Sequence, residues 1–296
     1  MISTAPFLPT IDDVCLEALR LPCSPALLPR LSDALQNEAS STGDISDIIQ
    51  IDPALASATL RLANSAYFGG ASHAVETVEQ AILRLGAKEI YRLAALALVG
   101  RWPVTNQSGC EWEPSDFSRH ALCSAIATEV LAEISGRVDP QLAYTAGLTH
   151  ELGKLAIAHS CGAFFPAVRA HQQKHHCTWE QAEQVILGYE HALVGARLLR
   201  AWRFSEIMIA TSEFQHCPAQ SPITARPLLA HLHAGRLVAA SMGPGISGDG
   251  FLFQVDGHFL LEWNFTPAVL QEAMLIALER ASRLLNEKLS HGIIQF

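Results

Sequence analysis

Apolar residues recur three and four positions apart along nearly the whole chain, which is the period of an amphipathic helix. The stretch "DISDIIQIDPALASATLRLANSAYFGG" (44–70) predicts two helices divided at Asp52-Pro53. Asp52 is placed to cap, Pro53 takes the first helical position, and Gly69-Gly70 ends the second helix. "VETVEQAILRLGAKEIYRLAALALVG" (75–100) predicts another pair, with Gly86 as the stop between them. Links this short fold consecutive helices into hairpins, the unit of an all-α bundle.

The polar, turn-rich interval "PVTNQSGCEWEPSD" (Pro103 to Asp116) predicts a lobe boundary. Helical pattern resumes with "DFSRHALCSAIATEVLAEISG", where Ser115 or Asp116 is the expected cap. It continues through "PQLAYTAGLTHELGKLAIAHS", "TWEQAEQVILG", "EHALVGARLLRAW" and "ITARPLLAHLHAGRLVAASM". "GPGISGDG" (243–250) reads as a loop and lacks the Lys and Ser/Thr of a phosphate-binding loop. "FLFQVDGHFLLEW" (251–263) is the one strand candidate, a small hairpin about Asp256-Gly257, with a short helix as the alternative. Thr266-Pro267 then opens a last amphipathic helix ending near Lys288.

With 49% hydrophobic and 17% charged residues, the 296-residue chain can bury a sizeable core and does not read as disordered. Its apolar runs, such as Leu93 to Gly100, are far shorter than a membrane span. The start "MISTAPFLPTIDD" has neither a basic beginning nor an apolar signal core, so a cytoplasmic location is expected. The seven cysteines include no C-x-x-C, the pattern of reduced thiols rather than of a disulfide or zinc-thiolate framework. Net charge is −9, and residues 1–60 hold two arginines against eight acids, which argues against a nucleic-acid footprint. "VETVEQAILRLGAKEIYRLAAL" is similar in spacing to a helix-turn-helix, but its second helix offers only Lys88 and Arg92 and looks buried.

Thirteen histidines are the first place to look for chemistry. Metal sites in helical bundles take inward side chains from several helices, so the signature is one histidine per helix at core-facing positions. His120, His150 with Glu151, His191 and His216 fit it, each embedded in an apolar stripe. Imidazole and carboxylate suit zinc, iron and manganese alike. The alternative is a set of core histidines each satisfied by one hydrogen bond. "HELGK" is not a zincin motif, because Lys154 stands where a second histidine is needed. His171 and His175 are one turn apart, and a solvated helix face accounts for them better than a surface metal clip. No G-x-S-x-G elbow or oriented nucleophile is present, so no catalytic residue is assigned.

Residues 21–99, with "DPALASATLRLANSAYFG" and "VEQAILRLGAKEIYRLA" at their strongest, resemble the N-terminal half of the bacterial HDOD domain. "RHALCSAIA", "AGLTHELGKLAI", "EHALVGARLLRAW" and the His216 region resemble its second half, so the resemblance runs from about Leu21 to Ala240. It implies kinship with the HD phosphohydrolases, all-α enzymes with a His…His-Asp…Asp ligand set and, in some branches, extra histidines for a second metal. Carried over, His120 matches the first ligand, His150 the doublet histidine, and His191 and His216 the additional histidines. Glu151 replaces the doublet aspartate, adding roughly 1.5 Å of reach where ligand distances tolerate about 0.2 Å. In "LAHLHAGRLV", Gly235 stands where the last aspartate belongs, and the flanking His231 and His233 point away from that bearing.

The expected architecture is a two-lobed helical bundle: residues 1–107 as an N-terminal lobe, 108–240 as an HD-like lobe, and 241–296 as a C-terminal segment whose helix packs on the module. The resemblance implies a non-catalytic signal-transduction protein that binds other signalling proteins through a module with a degenerate metal site. No cofactor is expected, although the surviving histidines leave room for weak binding of a divalent transition metal. The competing expectation is a metal-dependent phosphohydrolase acting on nucleotides or cyclic dinucleotides. Nucleic acid and membrane are not expected partners, and the oligomeric state is not legible.

Overall fold

The computed structural model describes residues 8–20, 27–37, 39–64, 74–99, 114–243 and 254–290, and every regular element among them is helical. The chain divides into two compact units, Met1–Pro22 with Trp102–Leu278, and Cys23–Arg101 with Glu279–Phe296. The all-α expectation holds. The division differs from the three anticipated segments, because the first helix and residues 241–278 group with the larger unit. That first helix, α1 (Ile11–Leu19), starts with a Thr10–Asp13 capping box and buries Val14 and Ala18. Its polar edge joins the larger unit directly: Ser160 donates to Glu17 at 2.6 Å, Arg197 pairs with Asp12, and the Tyr189 hydroxyl donates to the Pro9 carbonyl at 2.9 Å.

The smaller unit holds α2 (Leu27–Gln36), α3 (Thr42–Gln50), α4 (Pro53–Ala63), α5 (Val78–Leu85) and α6 (Ala87–Val99). The Asp52 carboxylate accepts from the Ala54 and Leu55 amides, both at 3.0 Å, so the helix break expected at Asp52-Pro53 is where α3 gives way to α4. Gly86 adopts φ +80° between α5 and α6, a left-handed value that an L side chain resists. The Gly69-Gly70 stop lies outside the described residues, and α4 already ends at Ala63. In α6 the residues Ile90, Tyr91 and Leu93 to Leu96 are buried, in keeping with its apolar pattern.

The larger unit continues with α7 (Pro114–Ser135), α8 (Pro140–Thr149), α9 (Leu152–Cys161), α10 (Phe165–His175), α11 (Trp179–Leu187), α12 (His191–Ala201), α13 (Glu206–Glu213), α14 (Arg226–Ser241), α15 (Gly257–Glu262) and the part of α16 (Pro267–Ser290) up to Leu278. Helix α7 is the spine: small buried residues, Ala121, Ala125, Ala127 and Ala132, let α8 and α14 pack close along it. Ser115 and Asp116 fall inside its first turn instead of capping it, because Pro114 already begins the helix. The stretch read as one helix over 140–160 is two, broken at His150-Glu151. The small hairpin near 251–263 is not formed: residues 257–262 make α15, and 251–253 lie outside the described residues. Asp256 accepts from the Phe259 amide at 2.9 Å, so the Asp-Gly pair that resembled a hairpin turn is a helix cap.

His231 and His233 serve this packing. His231 lies 2.6 Å from the Pro227 carbonyl and 2.7 Å from Ser135 Oγ, with its ring edge-on to Phe265. The Nε2 of His233 accepts from the Asp256 amide at 2.9 Å, tying the α15 cap to α14. Burial foremost, with Arg236 adding to it, pulls the His233 pKa from 6.5 to about 4. The unfolded chain binds this proton at higher pH than the folded chain does. Stability from the neutral ring is therefore complete above pH 6.5 and drains as pH falls toward 4, by about 3 kcal/mol in all. Denaturant titrations between pH 7 and 4 are expected to show a shallower loss for His233→Leu than for the parent protein; parallel curves would refute the assignment.

Candidate functional site

The His150-Glu151 doublet sits at a joint. His150 closes α8, and Glu151, at φ −97° and ψ 9°, opens α9, so neither is a mid-helix residue. His150 Nδ1 lies 2.7 Å from the Gly147 carbonyl, which can only accept, so the proton resides on Nδ1 and the Nε2 lone pair faces inward. Burial holds this ring well below the usual histidine pKa, keeping it neutral. Its Nε2 is buried and makes no hydrogen bond among the described residues.

Glu151 is 2% exposed and is surrounded by nitrogen. Lys154 Nζ lies 3.1 Å and His191 Nε2 3.4 Å from Oε2, while Arg236 Nη2 lies 3.5 Å and His150 Nε2 3.4 Å from Oε1. Burial alone would raise its pKa, but these groups, Lys154 first, hold the carboxylate well below the ordinary range and ionised. Behind it, His191 Nδ1 meets Glu183 Oε2 at 2.6 Å, the His191 amide donates to the same oxygen at 2.9 Å, and the Trp179 indole donates to Oε1 at 2.8 Å. Burial works against a charged His191, but Glu183 and Glu151 outweigh it and raise its pKa. His216 is driven the other way by burial, Arg236 and His191. The 2.9 Å contact between their Nε2 atoms is therefore a donation from His191 to a neutral His216.

All five residues anticipated from sequence converge. The His120 ring lies 5.7 Å from that of His150, and ligand atoms of His120, His150 and Glu151 all fall within 4.8 Å of one another. The histidine clip on α10 takes no part; the rings of His171 and His175 stack on each other at 4.3 Å. Sequence reasoning passed over Arg236, Glu183 and Gln215. For Arg236 the available signal was a lone charge in an apolar run, "LLAHLHAGRLVAA", whereas Glu183 lies in "WEQAEQVIL" beside Glu180 and had no such marker.

The HDOD domain family matches residues 21–218. This chain belongs to the HDOD domain family. Its fold is shared with an HDOD domain protein of unknown function from Geobacter sulfurreducens, 22% identical with a TM-score of 0.68 over 96% of this chain and 97% of that one. A protein from Marinobacter aquaeolei VT8, named "Putative signal transduction protein", has a TM-score of 0.73 at 22% identity over 98% of this chain and 62% of its own. A "Putative phosphohydrolase" from Shewanella amazonensis SB2B has a TM-score of 0.60 at 25% identity over 89% of this chain and 98% of that one. An uncharacterized protein of Treponema pallidum (strain Nichols) is 26% identical over 224 residues, 74% of this chain but 40% of that protein, so this HDOD chain spans less than half of that relative's length.

Among the described residues, His120, His150 and Glu151 form the one group of three donors close enough to share an ion. Where the family resemblance puts the last aspartate, a Cβ on Gly235 would lie 2.2 Å from Thr128 Oγ1 and 2.9 Å from the Thr128 amide, so α14 touches α7 with no space for a side chain. The carboxylate of that cluster, Glu151, is shared between Lys154 and Arg236. The HDOD site depends on a second close approach as well. A Cβ on Gly153 would lie 1.9 Å from the His191 carbonyl and 2.7 Å from the Gly195 amide, both backbone atoms that cannot rotate away. Gly153→Ala is expected to cost about 3 kcal/mol or more in chemical denaturation. Gly257→Ala, with nothing within 4 Å of the added carbon, should stay within about 0.5 kcal/mol.

Proposed function

We propose that this HDOD protein is a non-catalytic regulatory module that acts in signal transduction by binding partner proteins, its HD-type metal centre degenerate. The observation that carries the proposal is the setting of Glu151: buried, and contacted by Lys154 and Arg236 where a hydrolytic centre needs a carboxylate committed to an ion. A phosphohydrolase needs its metal to lower the pKa of bound water and to hold phosphate oxygens. With Gly235 against Thr128 and Glu151 paired to two cations, three donors remain, and only one of them is anionic. Family membership and the Marinobacter name agree with a signalling role. A cytoplasmic setting suits the free thiols at Cys15, Cys123, Cys161, Cys177 and Cys217. Among the described residues, no helix is long and apolar enough to cross a membrane.

The phosphohydrolase alternative draws on the convergence of His120, His150 and Glu151 within 4.8 Å. The two readings part on a direct measurement. Protein purified without chelator should carry manganese, iron and zinc far below one equivalent by elemental analysis. It should also release no product from nucleoside phosphates or cyclic dinucleotides with added manganese. Near-stoichiometric metal, together with hydrolysis that disappears in His150→Ala, overturns the proposal.

A further inference from the structure

We infer that Arg236 stands in for a metal ion as the counter-charge of Glu151, and that Gly235 is the device that delivers it. The inference rests on the non-catalytic reading above, but it concerns what holds the site together and is tested by a different measurement.

Lys154 is a local partner, one turn along the helix that Glu151 opens. Arg236 arrives from α14, a helix distant in sequence, and approaches the other carboxylate oxygen. Its second nitrogen, Nη1, donates to the Gln215 carbonyl at 3.3 Å, and the Gln215 amide in turn donates to the His150 carbonyl at 2.9 Å. One guanidinium thus joins α14, the turn after α13 and the α8–α9 joint. An ion held by His120, His150 and Glu151 would cross-link α7 to the same joint. A guanidinium, permanently charged and forked, can cross-link without an ion. Gly235 makes this reach possible: any side chain there would strike the Thr128 backbone and push α14 off α7. The next residue, about 100° around the helix, then faces Glu151. The Gly-Arg pair removes one ligand position and supplies a fixed charge at the neighbouring one.

The test is a thermal double-mutant cycle on the full chain, with and without divalent metal. Arg236→Met leaves buried Glu151 with Lys154 as its one fixed cation and should lower the Tm by about 10 °C. Glu151→Gln should lower it too, and Glu151→Gln/Arg236→Met should lose clearly less than the two single losses combined. Zinc or manganese should raise the Tm of Arg236→Met, whose Glu151 is open to an ion, and leave the parent unchanged; chelator should not lower the parent's Tm. If Arg236→Met cannot be purified, the inference requires that the double variant and Arg236→Lys still fold. Additive single losses, or a parent protein that melts earlier in chelator, overturn it. Additivity with no hydrolysis sinks this inference and leaves the non-catalytic reading standing. Hydrolysis by the parent sinks that reading whatever the cycle shows.

Discussion

A carboxylate removed from water has to be compensated, and the arrangement of the larger unit follows from how Glu151 is compensated. At 2% exposure it cannot remain ionised without opposite charge close by, and it is ionised. The cationic groups within 3.5 Å come from α9, α12 and α14: Lys154, His191 and Arg236. Elements that would otherwise share only apolar contact are therefore held in one register. His191 extends the same compensation outward to Glu183 and Trp179, and His216 closes it by accepting from His191.

That convergence needs backbones nearer than side chains normally allow. Gly147 on α8 faces the Ser124 carbonyl and Ala125 of α7, Gly153 on α9 faces the His191 carbonyl on α12, and Gly235 on α14 faces Thr128 on α7. Each glycine lies within three residues of a member of the polar cluster: His150, Glu151 and Arg236. Packing and electrostatics are thus the same feature seen at two scales. The glycines set how close the helices come, and the closeness lets short polar contacts form out of water, where they are strong.

Much of the fold was legible in local chemistry. Asp52-Pro53 and Gly86 each act on the backbone within four residues, and each falls at a helix boundary. Asp256-Gly257 was read as a turn and proved a cap, since the same two residues serve both and only the following packing of Phe259 and Leu260 chooses. The interruption at His150-Glu151 had no local marker, because no proline or glycine lies at the break.

The sequence by itself determined the helical class and most helix boundaries, because hydrophobic period and capping are local, and the family motifs singled out the histidines near Glu151. Only the tertiary structure decided what surrounds Glu151. Lys154 was read as the residue that spoils a zincin motif, and Arg236 was passed over. Whether a charge is solvated or paired depends on which backbones touch, and that contact is made between α7 and α14 and between α9 and α12, far apart along the chain.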